Sequence, residues 1–404
     1  MTRVVITGIG AVTPIGSTFC ESWGNLLSGV SGISFFRDDF TGTVNAAGKL
    51  RGFSPSAYLT EREMLRLDPF IHYALASAGM AINDAGLNGN ISDGSLENCG
   101  VVIGSSRGGI TTLDQALSKL HAGSAKKLSP YLMAKTTVSM AASCISERFK
   151  MSGQTLGISN ACSSGATAIG EAFRLVRHGY TDIALAGGTE APLCRLCFMG
   201  YASSGALSKS ALPNASMPFG KTRHGFVLSE GATVMVIESY ERAIARRAYM
   251  YAEIIGYGNV SDAFHIVKPN PDGEAKAMEL AIKDANITTD DIDFINVHAT
   301  GTREGDYAEA MAINKVFGKR PIPVTANKSI TGHMLGASGA FEAAVTAMAL
   351  SKGILPPTIN VNQQDENCHV NLTRSQLKGS FRYGLTNSFG FGGVNTVLVL
   401  DALN

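Results

Sequence analysis

The 404-residue chain has one tryptophan, and aromatic residues make up only 7% of it. It lacks any run of about 18 apolar residues, and the opening Met1-Thr2-Arg3-Val4-Val5-Ile6-Thr7-Gly8 is too short an apolar run for a signal peptide. The expectation is a soluble, cytoplasmic protein. Net charge is nearly absent: 34 Lys and Arg stand against 33 Asp and Glu, so the overall balance gives no reason to expect nucleic acid or a membrane as partner. The seven cysteines, at 20, 99, 144, 162, 194, 197 and 368, are odd in number and scattered, which argues against a disulfide framework in a chain this long. Cys194 and Cys197 form a lone CxxC with no second pair and no nearby histidine, so no metal site is expected. Gly8-Ile9-Gly10-Ala11-Val12-Thr13-Pro14 lacks the third glycine of a dinucleotide fingerprint and has proline where the helix should start, which argues against NAD.

What the chain has in excess is glycine, 45 residues against a usual share of about 7%. Short apolar runs at Val4 to Ile6, Val101 to Gly104, Ile183 to Ala186, Ala232 to Glu238, Ile292 to Val297, Val324 to Thr325 and Thr396 to Leu400 read as buried strands. Helical spacing covers 18–29, 70–86, 111–122, a stretch near 136–149, 239–247 and 339–352. This alternation predicts an α/β protein with a largely parallel sheet covered by helices. The stretch from 29 to 70 reads as a surface excursion, and Gly187-Gly188-Thr189-Glu190 as a turn ending a strand. From Ala252 the chain begins strand-then-helix order again, which predicts two related halves, 1–250 and 251–404, without a convincing residue-level repeat.

The chemistry centres on Leu156-Gly157-Ile158-Ser159-Asn160-Ala161-Cys162-Ser163-Ser164-Gly165. A β-like run precedes Cys162, and Ala166, Ile169, Phe173 and Val176 follow at helical spacing, placing the cysteine at a strand-to-helix turn. Free N–H groups and the positive end of the helix dipole would favour a thiolate nucleophile there. A buried structural cysteine is the plain alternative. Three later segments share this small-residue texture: Asn296-Val297-His298-Ala299-Thr300-Gly301-Thr302, Asn327-Lys328-Ser329-Ile330-Thr331-Gly332-His333, and Asn387-Ser388-Phe389-Gly390-Phe391-Gly392-Gly393. Either histidine alone reads as structural. Two strand-end histidines together with a helix-tip cysteine favour an active site, since open sheets place such sites at the carboxyl ends of strands.

These four segments, in this order, resemble the β-ketoacyl-acyl carrier protein synthases, and most closely the elongating type II enzymes with a Cys-His-His triad. The resemblance implies a thiolase fold, with duplicated halves forming a five-layer α-β-α-β-α core, and usually a homodimer. It implies that Cys162 holds the acyl group, that the backbone N–H groups of Cys162 and Phe391 form an oxyanion hole, and that His298 and His333 bind the malonyl thioester oxygen. Lys328 and Glu342 match supporting positions, though a plain buried ion pair would look the same. Thr300 and Thr302 match pantetheine-binding positions, and Phe391 an aromatic gate beside the acyl pocket. No cofactor is implied beyond the phosphopantetheine of the acyl carrier protein, the expected partner. Arg62, Arg66, Lys126 and Lys127 match its basic docking patch.

Arg107 departs from the apolar residue usual at the acyl-pocket floor, and an unpaired guanidinium cannot line an alkyl tunnel cheaply. This points to a short, unsaturated, aromatic or polar primer, or to a pocket closed off by Arg107. Gly220 and His224 stand where the family is commonly acidic. A biosynthetic thiolase is disfavoured because residues 390–393 contain no second cysteine, and a noncatalytic chain-length-factor subunit because Cys162, His298 and His333 are all kept. A catalytic ketosynthase of a polyketide or polyene pathway, paired with an inactive homologue, remains the alternative to fatty-acid elongation.

Overall fold

The computed structural model of the chain describes residues 1–37, 44–87, 96–124 and 127–403. Ten strands build its core: β1 (Val4–Val12), β2 (Gly100–Gly104), β3 (Thr155–Ile158), β4 (Ile183–Glu190), β5 (Gly231–Ser239), β6 (Ala252–Ser261), β7 (Phe294–Asn296), β8 (Pro323–Thr325), β9 (Tyr383–Gly390) and β10 (Val394–Asp401). Six helices pack on them: α1 (Pro69–Asp84), α2 (Met140–Phe149), α3 (Ser164–Arg177), α4 (Pro271–Asp284), α5 (Arg303–Phe317) and α6 (Ser338–Lys352).

The strands lie in the order β8-β7-β9-β10-β6-β1-β5-β4-β2-β3, with a short edge strand, Asn371–Leu372, beside β8. Counted outward from the β6–β1 junction, each half reads first, fifth, fourth, second, third of its own strands, so one topology occurs twice. The halves meet where Val4, Val5 and Ile6 pair antiparallel with Ile254, Glu253 and Ala252.

Strands buried on both faces must be apolar on both faces, and the period of two divides their side chains between separate cores. Val101, Ile103, Ile183, Leu185, Val234 and Val236 pack outward with Phe70 and Ile71 of α1 and Ile145 of α2. Val102, Ala184, Ala186, Met235 and Ile237 pack inward with Ile169 of α3 and Phe341 of α6, joined from the other half by Leu398 and Leu400. Val397, Val399 and Leu385 face Met278 of α4 and Ile313 of α5. The result is the five-layer α-β-α-β-α arrangement of the thiolase fold, with α3 and α6 as the middle layer.

Several expectations change. The sheet is mixed rather than largely parallel: β2–β3, β2–β4, β7–β8, β7–β9 and the pairing of Asn371–Leu372 with β8 run parallel, and the other five pairings run antiparallel. In each half the fifth strand returns antiparallel between the first and the fourth, as β10 does directly after the tight turn at 391–393. The stretch from 29 to 70 holds strands Ile33–Arg37 and Val44–Gly48 and a helix, Glu61–Arg66, started by a Thr60–Glu63 capping box. The helix near 136–149 is two helices, Leu132–Thr136 and Met140–Phe149. Gly187 to Glu190 continue β4, where a Cβ on Gly187 would fall 2.0 Å from the Thr233 carbonyl oxygen.

A residue-level repeat also emerges. Each middle helix follows a single 3₁₀ turn, Ala161–Ser163 or Leu335–Ala337, whose first residue has positive φ, 47° for Ala161 and 44° for Leu335. Ser164-Gly165-Ala166 then matches Ser338-Gly339-Ala340, and Cys162 takes the place that Gly336 holds in the second copy. The two tips touch, since a Cβ on Gly165 would lie 2.6 Å from the Gly336 carbonyl oxygen. Gly165→Val is therefore expected to destabilise by about 1–3 kcal/mol or more in urea unfolding, as overpacking does. Gly24→Ala is the control, in a helix where an added Cβ meets nothing within 4 Å, and it is expected to be neutral or stabilising. Equal responses would show that the helix tips have room to spare.

Candidate active site

Cys162, His298 and His333 lie downstream of the parallel strands β3, β7 and β8 and line one cavity of ≈ 650 Å³. Phe391, Thr300 and Thr302 line it too. The backbone puts them there. Ala161 in its positive-φ conformation turns the chain from β3 into the 3₁₀ turn bearing Cys162. The end of β9 closes on that turn, and a Cβ on Gly390 would come within 2.8 Å of the Asn160 oxygen and 3.3 Å of the Cys162 nitrogen. Phe391 consequently presents its backbone N–H to the Cys162 sulfur.

The Cys162 side chain is a thiol at rest, not the thiolate expected from its helix tip. Burial pushes it up to about 11, against the opposing charges of Lys328 and Arg107 and the Phe391 N–H, with Glu190 pushing the same way as burial. Both histidines are neutral. Burial first, then the Lys328 charge, hold them well below the usual imidazole range, and His333 adds to the effect on His298. Their rings meet edge to face with centroids 5.4 Å apart.

Hydrogen bonds fix which nitrogen each ring offers. His298 Nδ1 lies 3.4 Å from the Lys328 ammonium, which has only protons to give, so Nδ1 accepts and Nε2 carries the hydrogen. His333 Nδ1 pairs with Ser338 Oγ at 3.1 Å, while its buried Nε2 has no partner among the described residues. Lys328 and Glu342 form an ion pair with each side chain 1% exposed. Burial raises the Glu342 carboxyl to about 7 although Lys328 opposes this.

The sequence reading missed the supports beneath these residues. Glu309 accepts the backbone N–H groups of His298 and Ala299 at 2.8 and 2.7 Å and the Asn387 amide at 2.9 Å. Asp306 accepts from Gly301 and Phe219 N–H at 3.0 and 2.7 Å. Both acids stand three apart on α5, the spacing that could have revealed them. Arg223 ties the same loop down through the carbonyls of Thr302, Arg303 and Gly220 and the Asp365 carboxylate. Glu190 gathers the N–H groups of Ser106, Arg107 and Gly336 and the Ser105 hydroxyl, joining the two halves beside Cys162.

Other expected residues fall farther out. Arg107 does not line the cavity. Its Nε donates to the Tyr201 hydroxyl at 2.9 Å, and Tyr201 forms the wall, so the guanidinium has a partner and sits one side chain back. His224 lines the cavity and pairs with Ser208 at 3.0 Å, whereas Gly220 is buried in the loop braced by Arg223. Arg62 and Lys127 are exposed, Arg66 lies over the Tyr131 ring, and Lys126 lies outside the described residues. Lys209, Lys268 and Arg303 are the cations among the cavity-lining residues. Cys194 and Cys197 are buried, and no group of three or more metal-ligating side chains gathers among the described residues.

Residues 1–243 match the family described as beta-ketoacyl synthase, N-terminal domain, and residues 251–362 its C-terminal domain. The chain is 38% identical to 3-oxoacyl-[acyl-carrier-protein] synthase 2 of Staphylococcus aureus (strain N315), over 98% of this chain and 97% of that protein. Among solved structures it resembles the ishigamide ketosynthase/chain length factor, with a TM-score of 0.94, 33% identity and full coverage of both chains. It also resembles a type II PKS acyl-carrier protein in complex with its ketosynthase bound to the hexaketide, with a TM-score of 0.89, 32% identity and full coverage of both.

A thiol near 11 makes a direct prediction for alkylation. The iodoacetamide rate at Cys162, followed by peptide mass mapping, is expected to climb by about tenfold per pH unit from 7 towards 10, because the thiolate fraction does. Lys328→Met is expected to slow it further at pH 8. A plateau below pH 8 would mean a thiolate at rest.

Proposed function

The chain belongs to the β-ketoacyl synthase family, and from that premise we propose that it performs a decarboxylative Claisen condensation in fatty-acid elongation. An acyl group held on Cys162 joins malonyl-acyl carrier protein, giving β-ketoacyl-acyl carrier protein and CO2. The observation that carries this reading is one cavity holding a nucleophilic sulfur beside a backbone N–H and two neutral imidazoles, each with an Nε2 free of protein partners or directed away from Lys328.

In the first half-reaction Cys162 Sγ attacks the acyl thioester, and the N–H groups of Cys162 and Phe391 hold the tetrahedral oxyanion. The carrier thiol departs with the proton that Cys162 loses. In the second, Nε2–H of His298 and of His333 donate to the malonyl thioester oxygen as the bond to the carboxylate breaks and CO2 leaves. The carbanion attacks the acyl carbonyl, and Cys162 leaves as a thiolate that takes a proton from water, the one proton the overall condensation consumes. Neutral donors suit this step, because the charge they stabilise exists only while the enolate does. Burial, reinforced by Lys328 with its Glu342 partner, keeps both rings unprotonated. Thr300 and Thr302, whose hydroxyls lie 3.1 Å apart, hold the phosphopantetheine arm. No further cofactor enters this scheme. Residues 1–250 form the half that bears the nucleophile and 251–404 the half that bears the histidines, in a homodimer or in a pair with a homologous chain. Arg62, Arg66, Lys126 and Lys127 dock the acidic carrier protein. Among the described residues no helix is long and apolar enough to cross a membrane, in keeping with a cytoplasmic enzyme.

A second reading, a type II polyketide ketosynthase acting with a chain-length-factor partner, draws support from one observation. The Arg107–Tyr201 hydrogen bond gives the wall near Cys162 a polar backing where a long alkyl chain would gain nothing.

Intact-mass analysis with a panel of acyl-carrier proteins tests both readings. Wild type is expected to gain acyl mass and then form a β-ketoacyl product, and Cys162→Ala to gain none. His298→Ala and His333→Ala are expected to acylate but to condense about 10²–10⁴-fold more slowly. Acylation of Cys162→Ala, or of no protein across the panel, would refute the scheme. Efficient use of saturated primers of about twelve carbons or more, which bury about 0.8 kcal/mol per methylene, would count against the polar-primer reading.

A further inference from the structure

Glu274 plays no part in the chemistry above. It stands in the first turn of α4, after the Asn270 cap, and is among the residues that line the cavity shared by Cys162 and His298. The residue is 1% exposed, and its Oε2 has no hydrogen-bond partner among the described residues. A buried carboxyl oxygen left unpaired in a cavity wall is a group waiting for a partner that enters the cavity.

Its surroundings narrow what that partner can be. The charged groups acting on it are the carboxyls of Glu309, Asp262 and Asp306, and no described cation pairs with it. Those acids are already engaged, Glu309 and Asp306 under the 298–301 loop and Asp262 by the Asn395 amide at 2.6 Å. Burial, reinforced by these like charges, holds the Glu274 carboxyl well above the usual range, so it is a neutral acid with an O–H to give. Its place follows from its neighbours. A Cβ on Gly273 would strike Asp262 Oδ1, and a Cβ on Gly393 would lie 2.7 Å from Asp262 Cβ. Glu274 shares the cavity lining with Thr300, Thr302, Lys268 and Arg303.

Resting on the condensing reading, we propose that Glu274 is a binding residue for the arm that carries the acyl thioester, its carboxyl donating a hydrogen bond to an amide carbonyl of that arm. An arm contact fits better than one to the acyl chain, because the apolar cluster against which Cys162 and Phe391 pack, with Tyr201, Phe226 and Leu335, includes no residue of α4.

The test compares Glu274→Leu and Glu274→Gln with wild type on two donors, malonyl-pantetheine and malonyl-S-ethyl thioester, which has no amide. Glu274→Leu is expected to raise KM for malonyl-pantetheine by about tenfold with kcat little changed, and to leave the ethyl thioester unaffected. Glu274→Gln, whose amide still donates, is expected to stay within about twofold of wild type. The melting temperature of Glu274→Leu is expected to hold or rise, since an orphaned polar atom is removed, whereas a structural carboxyl would lower it. Equal KM changes on both donors, no change on either, or an effect seen only when the acyl primer is varied would overturn the assignment. Calorimetric titration with pantetheine itself separates the two levels. A wild type that binds pantetheine more tightly than Glu274→Leu yet condenses nothing keeps the Glu274 contact and refutes the condensing reading.

Discussion

One buried charge governs the site. The Lys328 ammonium, 1% exposed, touches His298 Nδ1, adds to the burial that holds both imidazoles neutral and draws the Cys162 thiol downward against its burial. In a low-dielectric interior such a charge acts strongly over distance, and left alone it would be costly to bury. Glu342 makes it tenable. An ion pair of this kind adds little net stability compared with a well-packed apolar pair, so its value lies in fixing protonation states rather than in holding the fold.

The fold supplies that charge through its duplication. Lys328 sits on the short helix after β8 and Glu342 on α6, both in the second half, while the sulfur they influence is on the 3₁₀ turn of the first. The two halves form equivalent turns, Ala161–Ser163 and Leu335–Ala337, and bring them into contact through glycines 165 and 336. One copy of the turn carries Cys162. The other carries only Gly336, whose N–H goes to Glu190 and whose missing side chain leaves room for the Ser106 nitrogen and the Glu190 carboxylate. A single topology used twice thus yields two different contributions to one cavity.

Much of this was legible in the sequence, because strands buried on both faces must be continuously apolar and the small-residue turns around Cys162, His298 and His333 are distinctive. The mixed sheet was not, since strand-helix alternation gives the order of elements but not the direction in which a fifth strand returns. The repeat escaped because the copies share backbone conformation and only Ser-Gly-Ala in sequence. Glu309 and Asp306 escaped because α5 alternates charged and small residues without a strong apolar stripe. The thiolate expectation failed for a different reason. A helix tip is visible in sequence, but the depth of burial that opposes it is a property of the folded cavity.

That depth has a chemical consequence. In the proposed scheme, a thiol held near 11 presents little thiolate to the incoming acyl group, so the first transfer would rest on oxyanion stabilisation by the Phe391 and Cys162 N–H groups rather than on a pre-ionised sulfur. In the same scheme, that reluctance to ionise would make Cys162 a poorer leaving group once acylated and so slow loss of the thioester to water before the second substrate binds. Only a strong nucleophile formed in place, a carbanion freed by loss of CO2, meets that requirement. The neutral histidines, the protonated sulfur and the compensated lysine then amount to one condition: the resting cavity has donors but little unbalanced charge, and charge appears where the donors already point.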